Sequence, residues 1–319
     1  MAVTVINIAM GLAVLAGVLA GVLALITRYA AVRAERLAPP LGQLRDVPGG
    51  RLHYTDQGSG PAIVLIHGLG GNLRNFAPEM VDHLARGHRV IALDRPGSGY
   101  STATGPVPDL HGQAAMVAAL IEALALGPVV LVGHSLGGAL SLALVQARPD
   151  LVARLALISP LTQAITDVPP QFAALMIGSP LLRQIMAWLV IGPAGLLAGR
   201  ASKLPAFDPD PVPSSFEGLG GGALLFRSAT FDAASRDAQS VRAVMPGIVA
   251  GYDAIKVPIA VLFGKNDQIL APALNGERFV AQMGAQARCT LIDGGHMLPF
   301  VHAAATAQWI ETVLAGVPA

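Results

Sequence analysis

The sequence predicts an α/β fold, a mostly parallel sheet covered by helices on both faces, with an inserted helical cap and an N-terminal transmembrane helix. Short, continuously apolar strands alternate with helical segments through most of the chain, which is typical of a parallel sheet buried on both faces. A helical segment without clear strands interrupts this alternation at residues 162–256. The chain begins with an apolar stretch that carries no charged side chain from residue 2 to residue 27.

The composition indicates a folded protein with a large core. Of 319 residues, 53% are hydrophobic and 13% are charged, which argues against disorder. The formal net charge of +1, without a dense basic block, argues against nucleic acid as a partner. The single cysteine, Cys289, cannot form a disulfide within the chain, and no Cys/His cluster has the spacing of metal ligands. We therefore expect no metal and no cofactor.

Residues 1–36 are predicted to be a membrane anchor with a basic flank. The run at 5–26 is apolar apart from one asparagine and the glycines, and as a helix it would cross roughly 30 Å of hydrocarbon. A cleaved signal peptide, which has a basic start and a shorter apolar run, and a buried core helix are the alternatives. Because Arg28, Arg33 and Arg36 follow the run, the positive-inside rule places the rest of the chain in the cytoplasm.

A linker at residues 37–49, which contains two adjacent prolines, precedes the first part of the core at residues 50–161. Glycine and proline turns separate the core elements. The predicted strands of this part cover residues 50–58, 62–66, 88–93, 129–132 and 155–158, and its predicted helices cover 75–86, 109–126 and 136–148. In the second part of the core, residues 257–319, we predict strands at 259–263 and 288–292, a helix near 272–283 and a final helix at 303–314.

Residues 162–256 are predicted to be a helical cap, or lid, inserted into the core. The segment is rich in proline, glycine and apolar helical stretches, notably 172–176 and 181–190. Met176, Met186 and Trp188 are candidate substrate contacts, because they add large flexible or aromatic apolar surface. The alternatives are ordinary packing of the cap helices onto the core and contact of the outer face of the cap with lipid.

A serine lies at a predicted strand-to-helix turn. The pentapeptide Gly-His-Ser-Leu-Gly at residues 133–137 directly follows one predicted strand and starts the next helix. A turn this sharp crowds its flanks, so Gly133 and Gly137, two residues on either side of Ser135, must lack side chains. The turn pushes the serine hydroxyl out of the sheet edge, where a base can reach it. We predict that Ser135 is a nucleophile.

A nucleophilic serine needs a positioned base, and the base needs an acid that holds its tautomer. Asp267 and His296 each come just after one of the last two predicted strands. Because the carboxyl ends of parallel strands lie at one edge of the sheet, both side chains can meet Ser135 there. We predict that His296 is the base and Asp267 the acid. His67 and His134 are interpreted as residues that shape their turns, since His296 fits the base position without strain.

Two backbone N–H groups at the same edge can stabilise the oxyanion of a tetrahedral intermediate. Leu136, in the first turn of the helix after the serine, can supply one of them. The second is assigned to Leu69, in the glycine-rich segment at 67–71 that follows the strand at 62–66. Gly70 is the alternative for this second donor.

Together these motifs resemble the α/β-hydrolase superfamily over nearly all of the chain from residue 50 to residue 317. The resemblance rests on His67-Gly68, Asp-Arg-Pro-Gly-Ser-Gly at 94–99, the pentapeptide at 133–137, Asp267 and His296. It implies a serine nucleophile, an orienting aspartate and a histidine base at Ser135, Asp267 and His296. An anchor followed by Gly-His-Ser-Leu-Gly-Gly looks like the monoacylglycerol-lipase-like and esterase branches. Some members take the acid from the position of Asp167, which is therefore the alternative to Asp267.

These inferences predict a membrane-anchored serine hydrolase that cleaves carboxylic esters with an apolar acyl group through an acyl-enzyme. We expect a small lipophilic ester as substrate, membrane lipid as the partner of the N-terminal helix, and a single-pass anchor with the hydrolase domain facing the cytoplasm. The alternatives are hydrolysis of a carbon–carbon or amide bond by the same triad, a perhydrolase-like reaction, and a non-catalytic binding protein with this fold.

Overall fold

The structure is a computed structural model that describes residues 1–165 and 170–316 of the chain. Within these residues, nine strands form one mixed sheet. They are β1 (Gln43–Val47), β2 (Gly50–Gln57), β3 (Ala62–Ile66), β4 (Arg89–Leu93), β5 (Thr102–Ala103), β6 (Val129–His134), β7 (Val152–Ile158), β8 (Ile259–Gly264) and β9 (Ala287–Ile292). Their order across the sheet is β1-β2-β4-β3-β6-β7-β8-β9, and β5 pairs with β2.

The sheet is mostly parallel, as the sequence predicts. The strands from β4 to β9 in this order pair in parallel, whereas β2 pairs antiparallel with β1, β4 and β5. Along β3, Val64 and Ile66 belong to one buried hydrophobic cluster, and Ile63 and Leu65 belong to another. Alternate side chains therefore point into two cores, one on each face. This explains why the central strands read as unbroken apolar runs.

Helices cover both faces of this sheet. The α-helices of the described residues are α1 (Ala2–Leu37), α2 (Pro78–Leu84), α3 (Leu110–Ala123), α4 (Leu136–Ala147), α5 (Pro180–Leu189), α6 (Ile191–Ala198), α7 (Leu204–Phe207), α8 (Ser228–Ala250), α9 (Arg278–Met283), α10 (Leu298–Val301) and α11 (Ala303–Leu314). A π-helical turn, Ala273–Glu277, precedes α9. Side chains of α3 and α4 pack in the core on one face, and side chains of α2 and α11 pack in the core on the other. The sheet is thus a middle layer between two helical layers.

Short 3-10 helices connect several of these elements. They are Leu73–Asn75, Pro149–Leu151, Pro170–Leu175, Gly199–Lys203, Ser214–Glu217, Gly222–Phe226, Tyr252–Ala254 and Gly284–Gln286. The first replaces the start of the helix predicted at 75–86, so that α2 begins at Pro78. Proline at the first helical position suits this start, because its fixed φ matches a helix and its missing N–H would have no partner there.

Two strands were not predicted from the sequence. β1 lies inside residues 37–49, which were interpreted as a linker, and β5 is only two residues long. β1 pairs with β2 along its whole length, from Gln43 opposite Tyr54 to Val47 opposite Gly50. The side chains of β1 are mostly exposed, so the strand has no apolar pattern in its sequence. Pairing with β2 therefore stabilises β1 as a strand, although its local sequence does not predict one.

The helices α5 to α8 form the cap between β7 and β8. The described residues of the predicted cap, 162–165 and 170–256, contain no strand, in keeping with its predicted helical character. The longest cap helix, α8, has 23 residues and packs against α3 and α4 of the core and α5 of the cap. On α5, the buried Arg183 donates from Nε to Asp232 of α8 at 3.0 Å. Ala238 and Val241 of α8 line a cavity together with Ser135, which follows the carboxyl end of β6, so α8 places the cap over this edge of the sheet.

The N-terminal helix α1 has 36 residues, and its most apolar 18-residue window has a mean hydropathy of 2.5 and is not buried. The helix expected at 5–26 is present and continues to Leu37. Its C-terminal half packs against the cap. Thr27 Oγ1 donates to the carbonyl of Trp188 at 2.7 Å, and a Cβ on Gly192 would lie 2.5 Å from Thr27 Cα. The apolar first part of α1 projects from a second part that is docked on the α/β body.

Candidate active site

Ser135 lies at the turn between β6 and α4. Its φ of +54° and ψ of −120° place the backbone in a region that residues with a side chain rarely adopt. A Cβ on Gly133 would lie 2.6 Å from the carbonyl oxygen of Gly137. A Cβ on Gly137 would collide with the carbonyl oxygens of Ile66 and His67 at the end of β3. Both glycines are therefore required by close backbone packing, and the serine side chain is left at the sheet edge.

Asp267 follows β8 and His296 follows β9, and the structure brings their side chains together. His296 Nδ1 donates to Asp267 Oδ2 at 2.7 Å. The backbone N–H groups of Ile269 and Leu270 donate to Asp267 Oδ1 at 2.8 and 2.9 Å. Burial by itself raises the pKa of Asp267, but His296 and these hydrogen bonds outweigh burial and hold that pKa below its ordinary value. The ionised carboxylate thus keeps the proton of a neutral imidazole on Nδ1 and leaves the lone pair on Nε2.

Ser135 and His296 line the same cavity, and both residues are buried. Within the described residues, no hydrogen bond joins Ser135 Oγ to His296. A hydrogen bond between a nucleophile and its base is often long without substrate and tightens when substrate binds. His134, the residue before the serine, donates from Nε2 to the backbone carbonyl of His296 at 3.0 Å. That hydrogen bond connects the loop of His296 to the turn of Ser135.

His67 and His134 are buried and neutral. Burial is the main reason that the pKa of each is lowered to about 3. His67 Nε2 accepts a hydrogen bond from the backbone N–H of Arg95 at 2.9 Å, so the ring proton is on Nδ1, which donates to the carbonyl of Gly68 at 2.8 Å. Both rings bind backbone groups of neighbouring turns. Their contacts are those of residues that shape the loops.

The segment that carries Leu69 passes directly over the serine. A Cβ on Gly68 would lie 2.9 Å from Ser135 Cβ. Leu69 and Leu136 both line the cavity at Ser135. In the described part of the chain, neither of their backbone N–H groups donates to another group of the protein. Two unused donors beside a serine hydroxyl are suited to stabilising an oxyanion.

Two cavities meet at Ser135 and Leu69. The first, of about 240 Å³, has a largely apolar lining. Its lining includes Leu136, Leu161, Ile165, Met176, Val241 and Leu274. The second, of about 330 Å³, extends along His296 towards the cap and is lined there by Ala206, Phe216, Phe226 and Phe231. The serine therefore lies between an apolar chamber and a second chamber on the side of the histidine.

The three candidate substrate contacts have different positions. Met176 lines the first cavity. Met186 and Trp188 line neither cavity at Ser135, so the expectation that they contact substrate is not met. On α5 the buried residues are Arg183 and Ala187, which face the body, whereas the side chain of Trp188 is 42% exposed on the outside. The apolar sequence of α5 did not reveal which of its faces points inward.

The alternative acid, Asp167, lies outside the described residues. Among the described carboxylates, Asp267 is hydrogen-bonded to His296. Asp94, which was not proposed as the acid, instead accepts hydrogen bonds from His53 Nδ1 and the backbone N–H of Leu73, at 2.7 Å each. It organises the loop after β4.

Sequence reasoning missed a buried polar cluster behind the site. Arg95 Nη2 donates to Asp237 Oδ2 at 2.8 Å, and Gln113 binds both partners. Arg95 lies in the motif at 94–99 and could have been singled out there. Asp237 could not, because it lies 142 residues further along the chain, in the middle of α8, with no local pattern around it.

The family model described as the α/β hydrolase fold matches residues 61–178. This chain is an α/β-hydrolase-fold protein. The chain is 38% identical over 107 residues to (E)-2-((N-methylformamido)methylene)succinate hydrolase of Acinetobacter baylyi, and the match spans 34% of the chain and 40% of that enzyme. It is 29% identical over 230 residues to 2-(acetamidomethylene)succinate hydrolase of Mesorhizobium japonicum, covering 70% of the chain and 77% of the relative.

Solved structures share the fold over a still larger part of the chain. The structure of a membrane phospholipase A, described as a bacterial virulence factor, aligns with a TM-score of 0.66 at 24% sequence identity. The alignment covers 99% of this chain and 99% of that chain. At this level of identity the likeness establishes only the fold of this protein.

Proposed function

We propose that this hydrolase cleaves carboxylic esters with an apolar acyl group through an acyl-enzyme on Ser135. One observation carries the proposal. The serine of a strained strand-to-helix turn shares a cavity with His296, and Asp267 holds the Nδ1 of that histidine at 2.7 Å. This is the arrangement of a nucleophile, a base and an orienting acid.

In the proposed mechanism, His296 Nε2 takes the proton of Ser135 as Oγ attacks the ester carbonyl carbon. The backbone N–H groups of Leu69 and Leu136 donate to the oxyanion that forms. The imidazolium, stabilised by the carboxylate of Asp267, then protonates the leaving alcohol, and the acyl group remains on the serine. A water molecule, deprotonated by His296, attacks the acyl-enzyme and releases the carboxylic acid.

The lining of the first cavity supports an apolar acyl group. Among the described residues that line this cavity, one is charged, and this residue, Arg242, is exposed. The two named relatives act on substituted succinates, whose carboxylates require cationic partners when they are buried. A dicarboxylate in this cavity would leave charge unpaired, whereas a hydrocarbon chain would gain about 0.8 kcal/mol for each buried methylene.

Amide hydrolysis by the same residues is the second candidate. The names of the two relatives describe a formamido and an acetamido compound. Turnover of matched ester and anilide substrates, with the same acyl chain from C2 to C12, separates the candidates. We expect the ester to be preferred and kcat/KM to rise with chain length while the chain fits the cavity. A preference for the anilide at equal chain length would favour the amide alternative.

Substitution of the serine tests the nucleophile. Ser135→Ala should abolish hydrolysis of a p-nitrophenyl ester and labelling by a fluorophosphonate probe, because no other hydroxyl occupies the turn. Ser215→Ala, at an exposed serine of the cap, is the matched control and should keep both activities. Hydrolysis by Ser135→Ala at close to the wild-type rate would refute the role of Ser135.

We also propose that α1 anchors the hydrolase in a membrane, with the body on the cytoplasmic side. The apolar run at 5–26 would span about 33 Å at 1.5 Å per residue. Thr27, at its end, contacts the cap helices α5 and α6. Large apolar side chains are exposed on these two helices at Leu181, Leu182, Ile185, Trp188, Leu196 and Leu197. Because α5 and α6 adjoin the end of the apolar run, this surface would lie at the level of the membrane interface.

A further inference from the structure

The peptide group between Gly68 and Leu69 is held from behind by three donors. The carbonyl oxygen of Gly68 accepts hydrogen bonds from Arg95 Nη2 at 3.1 Å, His67 Nδ1 at 2.8 Å and the backbone N–H of Gly71 at 3.3 Å. In a planar trans peptide the N–H points away from the C=O. The donors on the carbonyl of Gly68 therefore set the direction in which the N–H of Leu69 points.

Of these three donors, Arg95 is the one that also forms a hydrogen bond with the cap. Its side chain is fully buried, and its Nη1 donates to Gln113 Oε1 at 2.8 Å. Its Nη2 also donates to Asp237 Oδ2, and Gln113 Nε2 donates to Asp237 Oδ1 at 2.6 Å. Guanidinium, amide and carboxylate thus form a closed ring. A buried charge is strongly disfavoured without its partner, so the guanidinium is confined to the place where it meets the carboxylate.

The members of this ring come from three parts of the fold. Arg95 follows β4, Gln113 lies on α3, and Asp237 lies on the cap helix α8. The segment that carries Leu69 also contacts the cap directly, since Asn72 Nδ2 and Asn75 Nδ2 donate to backbone carbonyls of the cap at 3.2 and 2.9 Å. Arg95 adds a link from α8 to the carbonyl of Gly68 itself. A shift of α8 would carry Asp237 with it and would move the guanidinium away from the carbonyl of Gly68.

We propose that Arg95 is a positioning residue for the oxyanion hole and that Asp237 makes this positioning depend on the placement of the cap. Arg95 holds the peptide of Gly68 and Leu69 with the N–H facing Ser135. The position of α8 in this structure is thereby required for full stabilisation of the oxyanion. This inference rests on the proposed ester hydrolysis at Ser135.

The test compares wild type with Arg95→Met and Arg95→Met/Asp237→Asn in the full-length protein. For p-nitrophenyl butyrate we expect kcat to fall on the order of 10²-fold, the loss seen when one oxyanion donor is removed, and KM to change by less than about threefold. A trifluoromethyl ketone adds reversibly to the serine and forms a tetrahedral oxyanion. Its inhibition constant should rise by the same factor as kcat falls.

The second readout separates positioning from simple support of the fold. A loss of folded protein lowers the active fraction but leaves the inhibition constant of the remaining enzyme unchanged. Arg183→Met is the matched control, because the buried Arg183 also pairs with α8, through the partly exposed Asp232, but does not touch the loop of Leu69. This variant should unfold at a lower temperature and keep the wild-type inhibition constant.

Each outcome decides the inference. A folded double variant with wild-type kcat and wild-type affinity for the ketone would overturn it. If Arg95→Met does not fold, the double variant, which leaves no unpaired carboxylate, gives the result. If neither variant folds, Arg95→Lys decides the inference instead. A single ammonium cannot bind Gly68, Gln113 and Asp237 together, so the same loss of kcat is expected. A wild type without esterase activity would instead refute the proposed function.

Discussion

The catalytic proposal depends on a serine whose backbone is strained and an acid–base pair whose geometry is tight. A conformation such as that of Ser135 is disfavoured by about 1–3 kcal/mol, and it persists only where the surrounding structure determines it. Here the contacts of Gly133 and Gly137 with neighbouring backbone do so. Asp267 is buried, accepts two backbone N–H bonds and binds His296, so its carboxylate has little freedom.

Asp267→Asn tests the role of the acid. An asparagine keeps the shape of the side chain, but its amide can donate to His296 Nδ1 and so place the ring proton on Nε2, the wrong tautomer for a base. We expect kcat to fall by about 10⁴-fold with a small change in KM. Asp293→Asn is the control, because the side chain of Asp293 is 90% exposed in the same loop and pairs with Lys265. Equal activity of the two variants would remove Asp267 from the mechanism.

The two buried neutral histidines make the free energy of unfolding depend on pH. Burial lowers the pKa of His67 and His134 from 6.5 to about 3. Between these pH values the unfolded chain binds protons that the folded chain does not, so the free energy of unfolding falls as the pH falls. Above pH 6.5 these residues contribute no slope. Asp267, whose pKa is also lowered, acts in the same direction below its ordinary pKa of 3.8.

Urea unfolding in detergent at pH 7, 6, 5 and 4 measures this slope. Each histidine should contribute about 1.4 kcal/mol per pH unit below its ordinary pKa. His134→Gln keeps a donor for the carbonyl of His296 and removes one titrating group, so the slope should decrease by about that amount. Identical slopes in wild type and variant would show that His134 is not held neutral.

At the scale of elements, the site is an edge where several loops meet over closely packed backbone. The first turn of α4 touches the end of β3 at Gly137, and the loop of His296 touches the end of β8 at Gly264, where a Cβ would collide with the carbonyls of Gly294 and Gly295. These contacts bring Ser135, the loop of Leu69 and His296 together. Residues without a side chain are needed where two backbones approach this closely.

Two glycine-to-alanine substitutions in helices should have opposite effects. Gly137→Ala in α4 places a methyl group against two carbonyl oxygens, which should destabilise the fold by about 1–3 kcal/mol and displace the loop of Leu69. Gly247→Ala in α8 meets no atom within 4 Å and should stabilise the protein by about 0.4–1 kcal/mol. Chemical denaturation measures both. Equal effects of the two substitutions would contradict the contact at Gly137.

At the scale of the whole molecule, α1 and the α/β body are one packed unit. Besides the contact at Thr27, Arg227 Nη1 donates to Glu35 Oε1 at 3.3 Å, and Tyr100 Oη donates to the carbonyl of Ala38 at 2.7 Å. Tyr100 belongs to the loop after β4, and Arg227 directly precedes α8. The end of α1 thus contacts both the cap and the core, which limits how the body can turn relative to the proposed membrane.

Membrane attachment is tested on the full-length chain. We expect the wild type to remain in the membrane pellet after alkaline carbonate extraction. The double variant Val14→Arg/Val18→Arg should be released, since each arginine at the centre of a span is disfavoured by about 2.5–3.5 kcal/mol. Leu44→Arg, at an exposed apolar residue of β1, is the control and should stay in the pellet. A soluble wild type, or a mature N-terminus beyond residue 27, would refute the anchor.

Sequence alone was enough for the parts of the fold that depend on local pattern. The strand predicted at 62–66 and the helix predicted at 303–314 coincide with β3 and α11. Continuous burial gives the central strands an unmistakable apolar run, and steric crowding at the serine turn restricts its flanks to glycine. The order of the loops at the carboxyl edge then follows from the parallel sheet, which is why Ser135, Asp267 and His296 could be named together.

Tertiary structure decided what distant parts of the chain do to one another. The pairing of β1 with β2, the inward face of α5, the docking of α1 on the cap and the contact of Arg95 with Asp237 have no local signal. Each depends on packing or on an ion pair between segments far apart in sequence. Local propensity cannot specify such contacts, because their free energy exists only once both segments are placed in the fold.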